Sequence, residues 1–257
     1  MRPCQAPLLS SKARSASSAR WLARAERDPF RISKLTNNKV HGDPSKALGS
    51  AAGAERRNYV ARSAHKLLEL DSKYRGLLRP GVCVLELGAA PGGWTQVCIE
   101  KLQGKGKIIA VDIKRMDSRV FVGARASQVH AIQGDVRQEA TLQQIEQALA
   151  GAKVDVMLSD ILGNVTGNGL ADAQASLDLC DLALDLASRY MHPSTAAESD
   201  GKKTEAKILV MKVLQSDLSE KWRRDVVQNK FRDVKWAKPE ASRKESREAY
   251  LVCRGLK

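Results

Sequence analysis

A chain of 257 residues with 43% hydrophobic and 28% charged side chains can sustain one large buried core, and no apolar run approaches membrane-span length. Its cysteines (Cys4, Cys83, Cys98, Cys180, Cys253) are odd in number and scattered, with no CxxC pair and no Cys/His cluster. That suggests neither a disulfide framework nor a zinc site and fits a reducing compartment. The net charge of +14 is segregated: 17 Lys/Arg against 6 Asp/Glu in residues 1–79, 14 against 18 in 80–220, and 12 against 5 in 221–257. Basic flanks around an acidic middle suit a polyanionic partner, nucleic acid first, because clustered cations gain from releasing counterions on a phosphate backbone.

In chain order, residues 1–28 hold many serines, with five Lys/Arg and no acidic residue before Glu26. This is the composition of an organellar transit segment, assigned here to residues 1–25, and the alternative is a basic RNA-binding arm. Residues 26–57 read as a basic RNA-contacting stretch followed by a Gly/Ala/Ser/Asn-rich connector. From residue 58 strand-like and helix-like segments alternate. Strands are predicted over 82–88, 107–113, 129–136, 154–160, 206–214, 233–239 and 248–255, with helices over 92–103, 139–151 and 171–191 and near 217–229. Alternation of this kind predicts a mostly parallel sheet with helices on both faces. Ligands then bind at the carboxyl ends of the strands. Residues 194–207 read as a polar surface insertion.

"LELGAAPGGW" (85–94) is a strand, a small-residue turn and a helix start. Its G-x-x-x-G-G spacing, without a phosphate-binding lysine, matches neither the dinucleotide fingerprint nor the Walker loop. A nucleoside joined to an amino acid, S-adenosylmethionine, fits better. Asp112 ends the second strand, 24 residues after Gly88, where a carboxylate can accept ribose hydroxyls. Asp135 in "QGDV" ends the third strand, where a side chain can meet the adenine amino group. The plainer role of either aspartate is a turn or helix cap. "ILVMKVL" (208–214) is a buried-strand pattern interrupted by Lys212, whose plainer reading is a strand-end lysine snorkelling to water.

"SAHKLLELDSKYRGLLRPGVCVLELGAAPGGWTQ", "GKIIAVDI", "QGDV", "LSDILGNVTG", "ILVMKV" and "KPEASRKESREAYLVCRG" together resemble the FtsJ-type ribose 2′-O-methyltransferases of RNA, over about residues 58–257. "SARWLARAERDPF" resembles the amino-terminal stretch of the large-subunit rRNA members. The resemblance implies an α/β fold: a Rossmann-like class I S-adenosylmethionine-dependent methyltransferase, with seven strands, mostly parallel, and an antiparallel last strand. It implies a catalytic set of Lys66, Asp160, Lys212 and Glu248, with Glu245 a weaker candidate for the glutamate. The cofactor residues it implies are Gly92, Gly93 and Trp94, with Asp112, Asp135 and Asp160. The implied substrate is a ribose 2′-OH, on a uridine, in large-subunit rRNA or a pre-ribosomal particle, and a transit-like start points to the mitochondrial ribosome rather than the nucleus or cytoplasm. No metal and no membrane span is expected, and a monomer is. Departures from the family pattern are His65 beside Lys66, "SDILGN" after the fourth strand, and the insertion before the fifth.

Methyl transfer is an in-line displacement in which the sulfonium supplies its own leaving group. The protein has mainly to align the hydroxyl and assist loss of its proton. A lysine ammonium of ordinary pKa, about 10.4, is a poor base at neutral pH. The expectation is that Lys212 accepts or steers the proton, Asp160 and Glu248 position it, and Lys66 orients the substrate. Alternatives are 2′-O-methylation of tRNA or cap RNA, and a non-catalytic factor that binds S-adenosylmethionine and rRNA during ribosome assembly.

Overall fold

A computed structural model describes residues 59–257 except Arg75, Asn164, 194–206 and Lys244. The expectations for residues 1–25 and 26–57, and for all of the polar insertion but Lys207, lie outside the described residues. The elements are α1 (Ser63–Lys73), β1 (Cys83–Leu87), α2 (Gly93–Leu102), β2 (Lys107–Asp112), β3 (Val129–Gln133), α3 (Glu139–Leu149), β4 (Val156–Ser159), α4 (Gly169–Tyr190), β5 (Ile208–Leu214), α5 (Asp217–Trp222), β6 (Phe231–Ala237) and β7 (Glu248–Leu256). The expected helix near 217–229 is interrupted: α5 passes into a π-helical stretch, Arg223–Val227, before the chain reaches β6.

The strands form one seven-stranded sheet in the order β3-β2-β1-β4-β5-β7-β6. The pairs from β3 across to β5 are parallel. The last strand, β7, inserts antiparallel between β5 and β6. This is the Rossmann-like arrangement expected of the sequence. Alternation along the strands divides the core. Cys83, Leu85 and Leu87 of β1 and Leu209, Met211 and Val213 of β5 pack with α3 and α4 on one face. Val84 of β1 and Val210 of β5 pack on the other, against Ala64, Leu67 and Leu70 of α1 and Trp94, Val97 and Cys98 of α2. Glu86 and Lys212 belong by alternation to this second face, and both are buried.

Strand register positions the site. Ser159 of β4 pairs with Met211 of β5, so the next residues, Asp160 just past the end of β4 and Lys212 near the end of β5, stand side by side. Across the antiparallel ladder Lys212 is opposite Tyr250 and Leu214 is opposite Glu248. Glu248 and Tyr250, two apart, therefore share the face on which Lys212 stands. Helix α1 lies over that face and brings Lys66.

Candidate active site

The four residues expected to act together converge in two ion pairs. Lys212 Nζ is 2.7 Å from Asp160 Oδ1 and also donates to the Asp160 carbonyl oxygen at 3.0 Å. Lys66 Nζ donates to Glu248 Oε2 at 3.0 Å. The Lys212 side chain is 9% exposed and that of Glu248 26%, so the set runs from a buried end to a solvent-facing end. Asp160 is fixed through its backbone as well, because its N–H donates to Leu87 O at the end of β1 (3.1 Å). Glu245 is exposed, which leaves Glu248 as the glutamate of the cluster. Burial pushes the Glu248 carboxyl up, but Lys66, Lys212 and Arg243 outweigh it and hold it below the usual range.

Tyr250 joins the two pairs, and the sequence reading did not single it out. Its hydroxyl donates to Asp160 Oδ1 at 2.7 Å, the oxygen that Lys212 also engages. Its ring packs against Trp94, centroids 5.6 Å apart, and Lys66 Nζ stands 5.9 Å from the ring centroid. Burial, together with the Asp160 carboxylate, raises the phenol well above its ordinary pKa, so it remains a hydrogen-bond donor.

A cavity of about 630 Å³ opens at the carboxyl ends of β1, β2 and β4. Gly88, Ala90, Asp112, Asp135, Asp160 and Ile161 line it. One Asp112 carboxylate oxygen accepts from Ala90 N at 2.9 Å and the other from Lys114 N at 2.7 Å, which locks the glycine turn to β2. Asp135 is gripped by the Arg137 guanidinium, with Nε–Oδ1 2.9 Å, and accepts from the Arg137 N–H at 3.0 Å. These bonds hold its pKa below the ordinary carboxylate range.

The glycines of the turn serve close packing within the protein. A Cβ on Gly88 would lie 2.9 Å from Ile161 Cγ1 and 3.0 Å from Ile161 N, so the residue after Asp160 packs into the space a side chain would fill. A Cβ on Gly92 would strike Val120, and one on Gly93 would lie 3.1 Å from Ala61 Cβ. Trp94 is buried behind the cavity and donates its indole N–H to Ser63 O at 2.8 Å, tying α2 to α1. Of the expected cofactor residues, Asp112, Asp135 and Asp160 face the cavity, while Gly92, Gly93 and Trp94 shape the turn from beneath.

Beneath the same turn lies Glu86, again outside the sequence reading. It is 1% exposed and accepts the Thr95 hydroxyl at 2.6 Å. Burial raises its pKa to about 8; the Thr95 bond opposes the rise, and the Asp160 and Asp112 charges add to it. A neutral carboxylic acid therefore supports the cofactor turn at pH 7.

The residues present fit S-adenosylmethionine. Three cavity carboxylates suit ribose hydroxyls, an exocyclic amine and a cationic sulfonium and ammonium, and Val136, Ile161 and Leu162 supply apolar walls. A seven-stranded sheet with an inserted antiparallel strand and this cavity at the parallel strand ends defines an S-adenosylmethionine-dependent methyltransferase of the Rossmann-like class. The chain belongs, more narrowly, to the FtsJ-like methyltransferase family, whose model matches residues 59–256. The ribosomal RNA large subunit methyltransferase E of Pseudomonas fluorescens (strain Pf0-1) is 34% identical over 245 residues, covering 95% of this chain and 98% of that protein. Its namesake from Alkalilimnicola ehrlichii is 40% identical over 203 residues, covering 79% and 87%. A solved Plasmodium falciparum chain described as a ribosomal RNA methyltransferase superposes with a TM-score of 0.63 at 26% identity, covering 77% of this chain and 98% of that one. The chain is thus a methyltransferase that uses S-adenosylmethionine. Among the described residues no helix is long and apolar enough to cross a membrane.

Proposed function

We propose that this methyltransferase acts on large-subunit ribosomal RNA and methylates a ribose 2′-OH, on a uridine. The names of the curated relatives support ribosomal RNA, one aligning with 95% of this chain and the other with 79%. One observation carries the 2′-O chemistry: Asp160 beside the cavity and Lys212 paired with it, linked through Tyr250 to Lys66 and Glu248. A base-modifying site would need polar groups matched to a base edge, whereas this cluster is built to hold a hydroxyl and move its proton.

Bound S-adenosylmethionine would supply an electrophilic methyl on a sulfonium, which departs as a neutral thioether. With its lone pair free Lys212 Nζ receives the 2′-OH proton, and as an ammonium it only directs the hydroxyl, while Asp160 keeps that nitrogen fixed at both its carboxylate and its carbonyl. Asp112 and Asp135 hold the ribose and adenine ends of the cofactor. Lys66, paired with Glu248 at the more exposed end, orients the incoming ribose and its phosphate.

Lys212→Ala should reduce methyl transfer to RNA at least a thousandfold while leaving cofactor affinity within about threefold. Wild-type turnover in that variant would sink the assignment. The mitochondrial ribosome as target rests on the transit-like composition of residues 1–25. Mapping ribose methylation in organellar and cytosolic rRNA, with and without the gene, tests it: one uridine lost from organellar large-subunit rRNA is expected, and a site lost only from cytosolic rRNA would overturn the address.

A further inference from the structure

The connector from β2 to β3, residues 113–128, reverses the charge of its surroundings. It holds Lys114, Arg115, Arg119 and Arg125 against Asp117 alone, inside a region (80–220) with 14 Lys/Arg and 18 Asp/Glu. Two 3₁₀ turns, Ser118–Phe121 and Ala124–Gln128, shape it, and the buried Val120 and Ala126 anchor it inward. The outward side carries two large apolar side chains, Phe121 at 40% and Val122 at 79% exposure. Arg119 folds back on Asp117, with Nε–Oδ1 2.9 Å. Lys114, Arg115 and Arg125 make no side-chain hydrogen bond or ion pair with the described residues.

Two hollows flank this ridge. Phe121 and Arg115 border one of about 200 Å³, while Val122, Arg125 and Tyr59 border another of about 560 Å³. An exposed ring between unpaired guanidinium groups is the chemistry of single-stranded nucleic acid, with stacking for a base and cations for the phosphates on either side. A purely solvated face has no need of the ring, and an apolar protein contact has no need of three free cations.

We propose that the 113–128 connector is a second contact surface for the RNA substrate, binding a single-stranded segment that flanks the reacting nucleotide. Phe121 stacks on a base, and Arg115 and Arg125 meet phosphates. The inference rests on RNA being the substrate, as proposed above. The surface is joined to the cofactor turn, because Asp117 N donates to Pro91 O at 3.0 Å and Val120 packs against Gly92. RNA held here thus stands on the same segment that frames the cofactor cavity, and Lys114 borders both that cavity and the hollow beside Phe121.

The test is fluorescence anisotropy of the full chain with a labelled 16-nucleotide single-stranded RNA of mixed sequence across a salt series. Arg115→Ala combined with Arg125→Ala should weaken binding about tenfold and flatten the slope of log K against log salt by about 1.4, the expectation for two single-strand phosphate contacts. Phe121→Ala should weaken binding about tenfold with the slope unchanged. All three substitutions lie on exposed positions, and calorimetric S-adenosylmethionine affinity should stay at the wild-type value. Wild-type RNA affinity in both variants overturns the proposal. So does a silent Phe121→Ala beside a weakened arginine pair. Methylation is not the readout, so a chain that binds RNA through this surface but fails to methylate ribose would refute only the catalytic reading.

Discussion

The Tyr250 hydroxyl and the Lys212 ammonium meet on one oxygen, Oδ1 of Asp160, each at 2.7 Å. Two donors on one oxygen fix the carboxylate plane, and the carboxylate in turn fixes the lysine. Tyr250→Phe removes one donor and leaves the ring packed on Trp94. A hydrogen bond to a charged group is worth about 1.5–3 kcal/mol, so kcat should fall by roughly 10- to 100-fold with little change in cofactor affinity. Single-turnover transfer of a labelled methyl group reads this, and an unchanged rate would mean that Lys212 alone orients Asp160.

The Lys66–Glu248 pair should show itself in acid. Glu248 has a depressed pKa when folded, so its contribution to stability is present above the unfolded value of about 4.3 and is lost as pH falls through the folded one. Glu248→Gln should be less stable than wild type near neutrality and lose less on acidification. Lys66→Met should raise the Glu248 pKa and shift any acid limb of kcat/KM upward. Thermal unfolding and pH–rate profiles between about pH 3 and 6 decide both.

Glu86 should act in the opposite direction. Its folded pKa of about 8 lies above the unfolded carboxylate value, so the folded state binds the extra proton. The stability associated with that proton is full below the unfolded value and declines as pH rises towards 8. Glu86→Gln keeps an acceptor for Thr95 and cannot ionise. Its melting temperature should hold steady between pH 6 and 9 while that of the wild type drops, and its cofactor affinity should lose the same alkaline dependence. Parallel pH curves for the two proteins would show that Glu86 is already ionised at neutral pH.

Gly88→Ala should disable cofactor binding without unfolding the sheet. Gly88 has φ +78°, and a Cβ there presses on Ile161. Strain of about 1–3 kcal/mol must be relieved by moving the turn or the segment after Asp160. Calorimetry should show at least tenfold weaker S-adenosylmethionine binding with near-wild-type far-ultraviolet circular dichroism.

The parallel strands were legible because most are apolar runs bounded by polar or glycine residues. Lys66, Asp160, Lys212 and Glu248 were legible only as a joint motif, since no spacing in sequence says that residues 182 positions apart will touch. Tyr250 escaped because a tyrosine in "EAYLVCRG" reads as core, which it also is. Glu86 could have been found by the logic applied to Lys212: "VCVLELG" is an apolar strand broken by one charge, just as "ILVMKVL" is. The π-helical stretch Arg223–Val227 between α5 and β6 had no such signal, because no glycine or proline lies in residues 217–230.

The antiparallel insertion of β7 has a consequence for how activity arises. Five strands suffice for a parallel sheet and the cofactor cavity, but Glu248 and Tyr250 arrive only when the last strand threads between β5 and β6. A chain arrested one strand short would keep much of a binding scaffold while lacking the partners of Lys66 and Asp160. Closing the sheet and completing the Lys66–Glu248 and Tyr250–Asp160 contacts are therefore a single step.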